Sequence, residues 1–295
     1  MTIKQALSET TNQLFKNKTK FPHLEAEILL SHILKKPREY LFAHPETELT
    51  KRQVSGFRFQ VSERLREVPI AYITGEKEFY GLKFLVNKNI LIPRPETELM
   101  VEEAMRLAKS IKTAVTFIDI GTGSGCIAIT LTKLLAGFRF QVSGFRFYAS
   151  DISKKSLVVA KKNAKFNGVD NNIKFFNGDL LTPLIKKLKT ENCNLTTIIL
   201  ANLPYLTPAQ IKKSPTLKFD PKLALSAGPD GLKYYRQLFK QILQLKLQKF
   251  ILLCEIDPSQ KSIIKRLAKI ILPPHKLELK KDLRGHNRLA VIIST

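Results

Sequence analysis

From residue 115 onward, short apolar runs alternate with amphipathic stretches of helical period. Five runs predict buried strands, and the stretches that follow four of them predict helices. This alternation is expected of a doubly wound α/β fold, in which helices cover both faces of a parallel sheet. The predicted strands are Val115–Ile120, 148–151, 173–176, Thr196–Ala201 and Phe250–Glu255, and the predicted helices are 126–135, 154–167, 231–245 and 258–270.

The two last apolar runs, 277–282 and 289–293, have no helical stretch between them. Parallel strands need a long crossover connection, whereas antiparallel strands are joined by a short turn. These runs therefore predict an antiparallel hairpin at the edge of the sheet.

The chain before residue 115 has a different character. Residues 2–68 show helical spacing, and Ile3, Leu14 and Phe15 are expected on one apolar face. Between residues 78 and 92 the pattern changes to short alternating runs, which predict a hairpin.

A stiff segment with two prolines, residues 92–98, follows, and Thr97 is a candidate cap for a helix over 98–108. We therefore expect a small helical bundle at 1–75, a hairpin linker at 76–95 and the α/β domain at 96–295.

The composition is strongly basic, with 49 Lys and Arg against 25 Asp and Glu and a formal net charge of +24. This excess favours anionic partners such as nucleic acid or a ribosome-associated target. A general bias towards lysine explains it equally well, because the lysines are spread over the whole chain. The charge therefore indicates a class of partner without identifying one.

The three cysteines are Cys126, Cys193 and Cys254, and none of them shows metal-ligand spacing with another. Reduced thiols in a cytoplasmic protein, without a metal site, are the simplest interpretation. The N-terminus has no apolar signal core, and no run approaches membrane-spanning length.

The first predicted strand leads into Gly121-Thr122-Gly123-Ser124-Gly125, a loop in which the backbone can approach a ligand closely. Asp151 ends the second strand, where an acid typically binds ribose hydroxyls. Asp119 suits a cationic group near the loop, and Asp179 after the third strand could meet an adenine amino group. A loop with three acids and without a phosphate-binding lysine favours S-adenosylmethionine over a nucleotide. Ordinary turn and cap roles are the structural alternative for each acid.

The fourth strand ends in Asn202-Leu203-Pro204-Tyr205, at the edge where open α/β sheets place their ligands. Pro204 restricts Leu203 to extended backbone, so the Leu203 carbonyl is expected beside the Asn202 side chain. Two acceptors side by side suit a planar NH2 group, and Tyr205 offers it a flat face. A plain Pro-containing turn is the alternative.

A seven-residue segment occurs twice, at 56–62 and 137–143. The first copy lies in a predicted helix and the second before a predicted strand, so local preference cannot suit both places. Asp151 lies further beyond the glycines than the usual distance, and removing one copy would restore it. A duplication or a sequence artefact is therefore favoured over a functional repeat.

These residues resemble the release factor glutamine methyltransferases, the PrmC/HemK family. The likeness covers nearly the whole chain, and residues 94–98 are its most specific part. The resemblance implies a class I S-adenosylmethionine-dependent methyltransferase: a Rossmann-like α/β domain with a seven-stranded sheet and an antiparallel edge hairpin, preceded by a small helical bundle. The segments that carry it are 69–75, 92–98, 117–125, 150–153, 202–205 and 219–225.

The resemblance also implies roles for individual residues. The N-terminal helices would dock a peptide chain release factor near the ribosome. Neither a membrane partner nor a nucleic-acid substrate is expected. The residues that would hold the glutamine of its Gly-Gly-Gln motif are Asn202, Leu203, Pro204 and Tyr205. Asp119 joins the cofactor-binding set because of its place before the glycine loop. The expected cofactor-binding residues are then Asp119, Gly121, Thr122, Gly123, Ser124, Gly125, Asp151, Asp179, Leu180 and Asn202.

Leu203 departs from the family, which usually has a proline there, so the loop loses one fixed φ and regains an N–H. Asn-Leu-Pro-Tyr is also typical of ribosomal RNA adenine N6-methyltransferases, which are one alternative. Those enzymes are not expected to carry the helical front domain or residues 92–98. The other alternative is an inactive basic protein that binds the ribosome or RNA.

Overall fold

The computed structural model of the protein describes residues 1–136, 144–190, 196–247 and 249–295. These residues form two compact units, Met1–Glu76 and Lys77–Thr295. Cys193 and the second copy of the repeat, 137–143, lie outside the described residues, whereas the first copy lies inside a helix. The predicted docking role of the helical part stays a prediction.

The first unit is helical. Thr2 and Thr50 each begin a helix with a capping box, in which the threonine hydroxyl accepts a backbone N–H three residues on. Its core includes Ile3, Leu29 and Phe57. The helices are α1 (Ile3–Lys16), α2 (Pro22–Leu34), α3 (Arg38–Ala43), α4 (Lys51–Leu65) and α5 (Ile70–Thr74).

The expected apolar face of α1 is wrong at one position. Leu14 is buried, but Phe15 is 72% exposed. Adjacent residues on an α-helix point about 100° apart, so both cannot lie at the centre of one buried face.

A short hairpin follows, with strands β1 (Glu76–Phe79) and β2 (Leu82–Leu85). Tyr80 and Gly81 between them have φ of 51° and 71°, the sign that the tightest hairpin turns require at both positions. The prediction extended the hairpin to residue 92, but residues 90–92 form no strand. Ile90 and Ile92 are nevertheless buried, and both border the cavity described below.

The described part of the second unit forms a sheet of seven strands in the order β5-β4-β3-β6-β7-β9-β8. Neighbours from β5 to β7 are parallel, and β9 pairs antiparallel with both β7 and β8. The predicted α/β fold with an antiparallel edge hairpin is confirmed. The strands are β3 (Val115–Ile120), β4 (Phe145–Asp151), β5 (Ile173–Asn177), β6 (Thr196–Ala201), β7 (Phe250–Glu255), β8 (His275–Lys281) and β9 (Asn287–Ser294).

Helices cover both faces of this sheet, as the alternation predicts. Phe117 of β3 packs in a cluster with residues of α6 and α7, whereas Ile118 packs in a second cluster with residues of α11 and α12. The helices are α6 (Glu98–Ser110), α7 (Cys126–Ala136), α8 (Lys154–Phe166), α9 (Ile185–Thr190), α10 (Pro208–Lys213), α11 (Lys233–Leu245) and α12 (Lys261–Ile271), and 3₁₀ turns occur at Pro95–Thr97, Thr182–Leu184, Pro215–Phe219, Lys222–Ala224 and Pro258–Gln260. No helix of the described residues is long and apolar enough to cross a membrane.

The strand order reverses between β3 and β6. The chain runs outward from β3 to β4 and β5, then returns to place β6 on the other side of β3. Ile120 at the end of β3 pairs with Ala201 at the end of β6, so the loops after these strands start side by side. Such a switch point, at the carboxyl ends of the strands, is where open α/β sheets bind ligands.

Candidate active site

A cavity of about 290 Å³ opens at this switch point. It brings together most of the residues that the sequence assigned to cofactor and substrate. Asp119, Gly125 and Tyr205 are exceptions and do not line it. The predicted residues on its wall are Gly121, Thr122, Gly123, Ser124, Asp151, Asp179, Leu180, Asn202, Leu203 and Pro204.

The glycine loop is held against β4 by backbone hydrogen bonds. The N–H groups of Gly121 and Thr122 both donate to the Ser150 carbonyl, over 2.8 and 3.0 Å. Gly125 has φ of +82°, and a Cβ there would lie 2.8 Å from Ile129 Cδ1. The positive φ therefore disfavours any side chain at residue 125, and Ile129 would also have to shift to admit one.

Asp151 joins the loop to the end of β4. Its Oδ2 accepts the N–H of Gly123 over 2.9 Å, and its Oδ1 accepts the N–H of Ser153 over 2.8 Å. Burial raises the pKa of Asp151, and these two bonds oppose the rise. Each carboxyl oxygen has a second lone pair, so the group can still accept hydroxyl donors from the cavity.

Asp179 and Leu180 form the wall beyond β5. The Asp179 carboxyl accepts a hydrogen bond from the Gln237 amide of α11. Leu180 adopts a left-handed backbone with φ of 50°, and its carbonyl accepts the Ser150 hydroxyl over 2.8 Å. The pair thus presents one acid and one apolar side chain to the cavity.

Asp119 lies beneath the glycine loop and does not line the cavity. It is only 2% exposed, and its Oδ2 accepts the Thr122 hydroxyl over 2.6 Å and the Ala128 N–H over 3.3 Å. Burial raises its pKa to about 7. Asp119 therefore acts on the loop from below, through the Thr122 hydroxyl and the first turn of α7.

Tyr205 also does not line the cavity. Its ring packs against the cluster of α11 and α12, and its hydroxyl donates to Glu255 Oε1 over 3.2 Å. Its carbonyl accepts the Gln260 side chain over 2.9 Å. Tyr205 therefore anchors the end of the loop and does not offer its face to the cavity.

The N–H that Leu203 carries in place of a proline is used inside the protein. Tyr235 lies fully buried below the loop, and its hydroxyl donates to the Ala201 carbonyl over 3.0 Å. Burial raises the pKa of Tyr235, and a hydrogen bond from the Leu203 backbone opposes the rise. The departure from the family pattern is thus accommodated by a buried partner.

Thr97 and Glu255, which the sequence did not assign to the site, form hydrogen bonds with Asn202 and Tyr205. Thr97 was expected to cap α6 but makes no capping bond. Its hydroxyl instead donates to Glu255 Oε2 over 2.7 Å and accepts from Asn202 Nδ2 over 2.9 Å. The sequence did carry a signal for Glu255, since it ends the apolar run of β7 as Asn202 follows that of β6.

Arg94 joins two segments of the cavity wall. Its guanidinium donates to Asp220 Oδ2 over 2.7 Å, and the Asp220 side chain is almost fully buried. Arg94 belongs to the segment before α6, while Asp220 precedes Pro221 and Leu223, which also line the cavity. This ion pair holds the two segments together at the site.

The cavity fits S-adenosylmethionine better than a phosphate-bearing nucleotide. Its glycine loop carries no lysine, and the acid at the end of β4 is placed to accept hydroxyl groups. Ile90, Ile152 and Leu180 supply an apolar wall for a flat base. Among the described residues, no group of three or more His, Cys, Asp or Glu side chains could hold a metal ion. The described cysteines, Cys126 and Cys254, are free thiols.

Two family models match the chain. One is described as the PrmC N-terminal domain and matches residues 5–75. The other is described as ribosomal protein L11 methyltransferase (PrmA) and matches residues 95–214. The matches lie on either side of the hairpin.

The chain is also similar to solved structures of the human METTL16 catalytic domain. In complex with MAT2A 3′UTR hairpin 1, that domain is 15% identical, with 90% of each chain covered and a TM-score of 0.55. In complex with hairpin 6, it is 18% identical over 83% of this chain and 82% of that one, with a TM-score of 0.53. At this identity the likeness shows a shared methyltransferase fold.

Curated relatives of higher identity are named release factor glutamine methyltransferase. The protein from Chlorobaculum tepidum is 38% identical, covering 79% of this chain and 78% of that protein. The protein from Bacillus subtilis is 35% identical, covering 89% and 88%. With 34% identity to the Moorella thermoacetica protein over 98% of this chain and 97% of that one, the chain belongs to the release factor glutamine methyltransferase family.

Proposed function

We propose that this chain transfers a methyl group to the side-chain amide nitrogen of the glutamine in the Gly-Gly-Gln motif of peptide chain release factors. The observation that carries the proposal is the position of Asn202. It lines the same cavity as the glycine loop, and its Nδ2 is bonded to Thr97, so Oδ1 is available for an N–H donor. The reaction would take place in the cytoplasm, where release factors meet the ribosome.

Membership of a methyltransferase family implies S-adenosylmethionine as the cofactor. We assign its binding to the residues from Gly121 to Gly125, to Asp151, to Asp179 with Leu180, and to Asn202. Within this set, Asp151 would accept the ribose hydroxyls, and Asp179 would accept the adenine amino group. Asp119 would act indirectly, by holding Thr122 in the loop.

The residues after β6 would bind and orient the substrate amide. A carboxamide nitrogen is a poor nucleophile because its lone pair is delocalised into the carbonyl. Asn202 Oδ1 and the Leu203 carbonyl would each accept one N–H, which raises electron density on nitrogen and directs its lone pair. Pro204 would keep Leu203 extended, and Tyr205 would anchor the loop from the interior.

When bound, S-adenosylmethionine supplies an electrophilic methyl group. No strong base is needed on the protein, because the amide proton becomes acidic once nitrogen carries the methyl group. Positioning is therefore the main contribution of the chain, and well-oriented reactions gain roughly 7–11 kcal/mol in this way.

An adenine N6 amino group is also a planar NH2 group, so ribosomal RNA stays the chemical competitor. The relatives of higher identity do not favour it, since their names refer to release factors. If release factors are the substrates, the basic net charge would either help docking near the ribosome or reflect a general bias towards lysine.

The test offers labelled S-adenosylmethionine with unmethylated release factor and, in parallel, with ribosomal RNA. We expect label on the release factor, and none when the Gly-Gly-Gln glutamine is replaced by glutamate. Label on RNA alone would instead assign the chain as a ribosomal RNA adenine methyltransferase. No transfer to either, with cofactor binding absent, would indicate an inactive binding protein.

Asn202→Ala tests the site itself. We expect it to abolish turnover and to weaken cofactor binding only modestly, because the glycine loop, Asp151 and Asp179, which carry most of the assigned cofactor contacts, are unchanged. The measurements are single-turnover methyl transfer and calorimetric titration with S-adenosylhomocysteine. A near-normal rate of methyl transfer in this variant would refute the proposed mechanism.

A further inference from the structure

A chain of hydrogen bonds leads from the interior of the second unit to Asn202. Asn202 Nδ2 donates to Thr97 Oγ1 over 2.9 Å, and Thr97 Oγ1 donates to Glu255 Oε2 over 2.7 Å. The other carboxyl oxygen of Glu255 accepts the Tyr205 hydroxyl over 3.2 Å. Glu255 is 3% exposed and Thr97 is 2% exposed, so water does not compete for these bonds.

The direction of this chain follows from counting hydrogens. An ionised carboxylate only accepts hydrogen bonds, and a threonine hydroxyl has a single hydrogen to donate. Because Thr97 donates that hydrogen to Glu255, it can only accept from Asn202. Only the Nδ2 end of the Asn202 amide can donate, so this end faces Thr97 and Oδ1 faces away from it.

We propose that Glu255 and Thr97 are positioning residues that determine which end of the Asn202 amide faces the substrate. The inference rests on the proposed function, since an acceptor matters there only if the substrate presents an NH2 group. In the reversed orientation, Nδ2 of Asn202 would face the NH2 of the substrate. Two donors cannot bond to each other, so the substrate would lose one of its two acceptors.

Two further observations support a role beyond packing. Thr97 occupies the cap position of α6 without capping it, so its hydroxyl is committed to Glu255 and Asn202. Burial raises the pKa of Glu255, and hydrogen bonds from Thr97 and Tyr205 oppose the rise by favouring the carboxylate form that this bonding direction requires.

The orientation can be measured without turnover. The full chain is labelled with ¹⁵N at asparagine, and the side-chain NH2 signal of Asn202 is identified by its loss in Asn202→Asp. We expect this NH2 group to be protected from hydrogen exchange in the natural chain and in Thr97→Ser, which keeps the hydroxyl. In Thr97→Val exchange should be faster by roughly tenfold or more, because the acceptor is gone. Unchanged protection in Thr97→Val would overturn the proposal.

The kinetic test compares Thr97→Val with Thr132→Val. Thr132 is a matched control, since it is buried and its hydroxyl donates to the Ala128 carbonyl within α7 over 2.7 Å. We expect Thr97→Val to lower kcat by roughly 10- to 100-fold. KM for the release factor and affinity for S-adenosylhomocysteine should stay unchanged, and Thr97→Ser should restore the rate.

The control Thr132→Val should lower stability and leave kcat unchanged. A kcat of Thr97→Val equal to that of the control would refute the positioning role. If the natural chain does not methylate a release factor at all, the proposed function is refuted, but the proposal about the orientation of Asn202 is not. In that case the exchange measurement still decides whether Thr97 sets the orientation of Asn202.

Discussion

Gly231 lies close against the end of the loop that carries Asn202. Its φ is +70°, and a Cβ built on it would lie 2.1 Å from the Tyr205 carbonyl oxygen and 2.4 Å from Gln260 Nε2. Gln260 Nε2 itself donates to that carbonyl over 2.9 Å. An alanine at residue 231 would therefore displace both the carbonyl that ends the loop and its hydrogen-bond donor.

The expected magnitude follows from these contacts. A left-handed alanine, an overpacked site and a lost hydrogen bond together predict that Gly231→Ala lowers the free energy of unfolding by about 3–6 kcal/mol. Gly168→Ala is the matched control, because Gly168 also has positive φ, +68°, but a Cβ there meets nothing within 4 Å. Only the backbone cost should remain in the control, about 1–2 kcal/mol.

Urea unfolding of the two variants beside the natural chain measures the difference. Turnover at low temperature provides a second readout, since a displaced Tyr205 carbonyl moves the segment from Asn202 to Pro204. Equal losses of stability in the two variants would show that the close approach at Gly231 has no energetic consequence, and the reasoning would fail.

Two further predictions concern an acid beneath the site and an ion pair beside it. Because burial raises the pKa of Asp119 to about 7, the folded chain holds this proton more tightly than the unfolded chain. The resulting stability is complete below pH 3.8 and is lost as pH rises to about 7, at up to about 1.4 kcal/mol per pH unit. Asp119→Asn should reduce this slope in urea unfolding between pH 5 and pH 7, and an unchanged slope would contradict it. Asp220→Asn should weaken the bond to Arg94 and raise KM for the release factor by about tenfold, while a KM equal to that of the natural chain would show that the ion pair does not shape the site.

The sequence predicted the residues around the cavity well because they follow a local rule. Polar and glycine residues that directly follow apolar strands meet at one edge of a parallel sheet. Gly121, Asp151 and Asn202 obey that rule, and the structure places all three on one cavity wall. Residues 90–92 show its limit, since this apolar run forms no strand and instead borders the cavity.

Contacts with partners far along the chain cannot be predicted from a local motif. The sequence around Thr97 has the form of a helix cap, but Glu255, 158 residues further on, accepts its hydroxyl. Tyr205 has a ring suited to stacking, but Glu255 and Gln260 direct its polar groups into the interior. Asp119 precedes the glycine loop by two residues, but its carboxyl accepts the Thr122 hydroxyl and the Ala128 N–H beneath that loop.

The sequence by itself determined the class of fold, the order of strand, loop and helix, and the family. These follow from periodicity and from motifs, in which each residue is interpreted with its near neighbours. Tertiary structure decided which hydroxyl donates to which carboxylate, and therefore how Asn202 is oriented. The physical reason is that hydrogen-bond direction depends on atoms within about 3 Å, and for Asn202, Thr97 and Glu255 the sheet brings those atoms together from three distant parts of the chain.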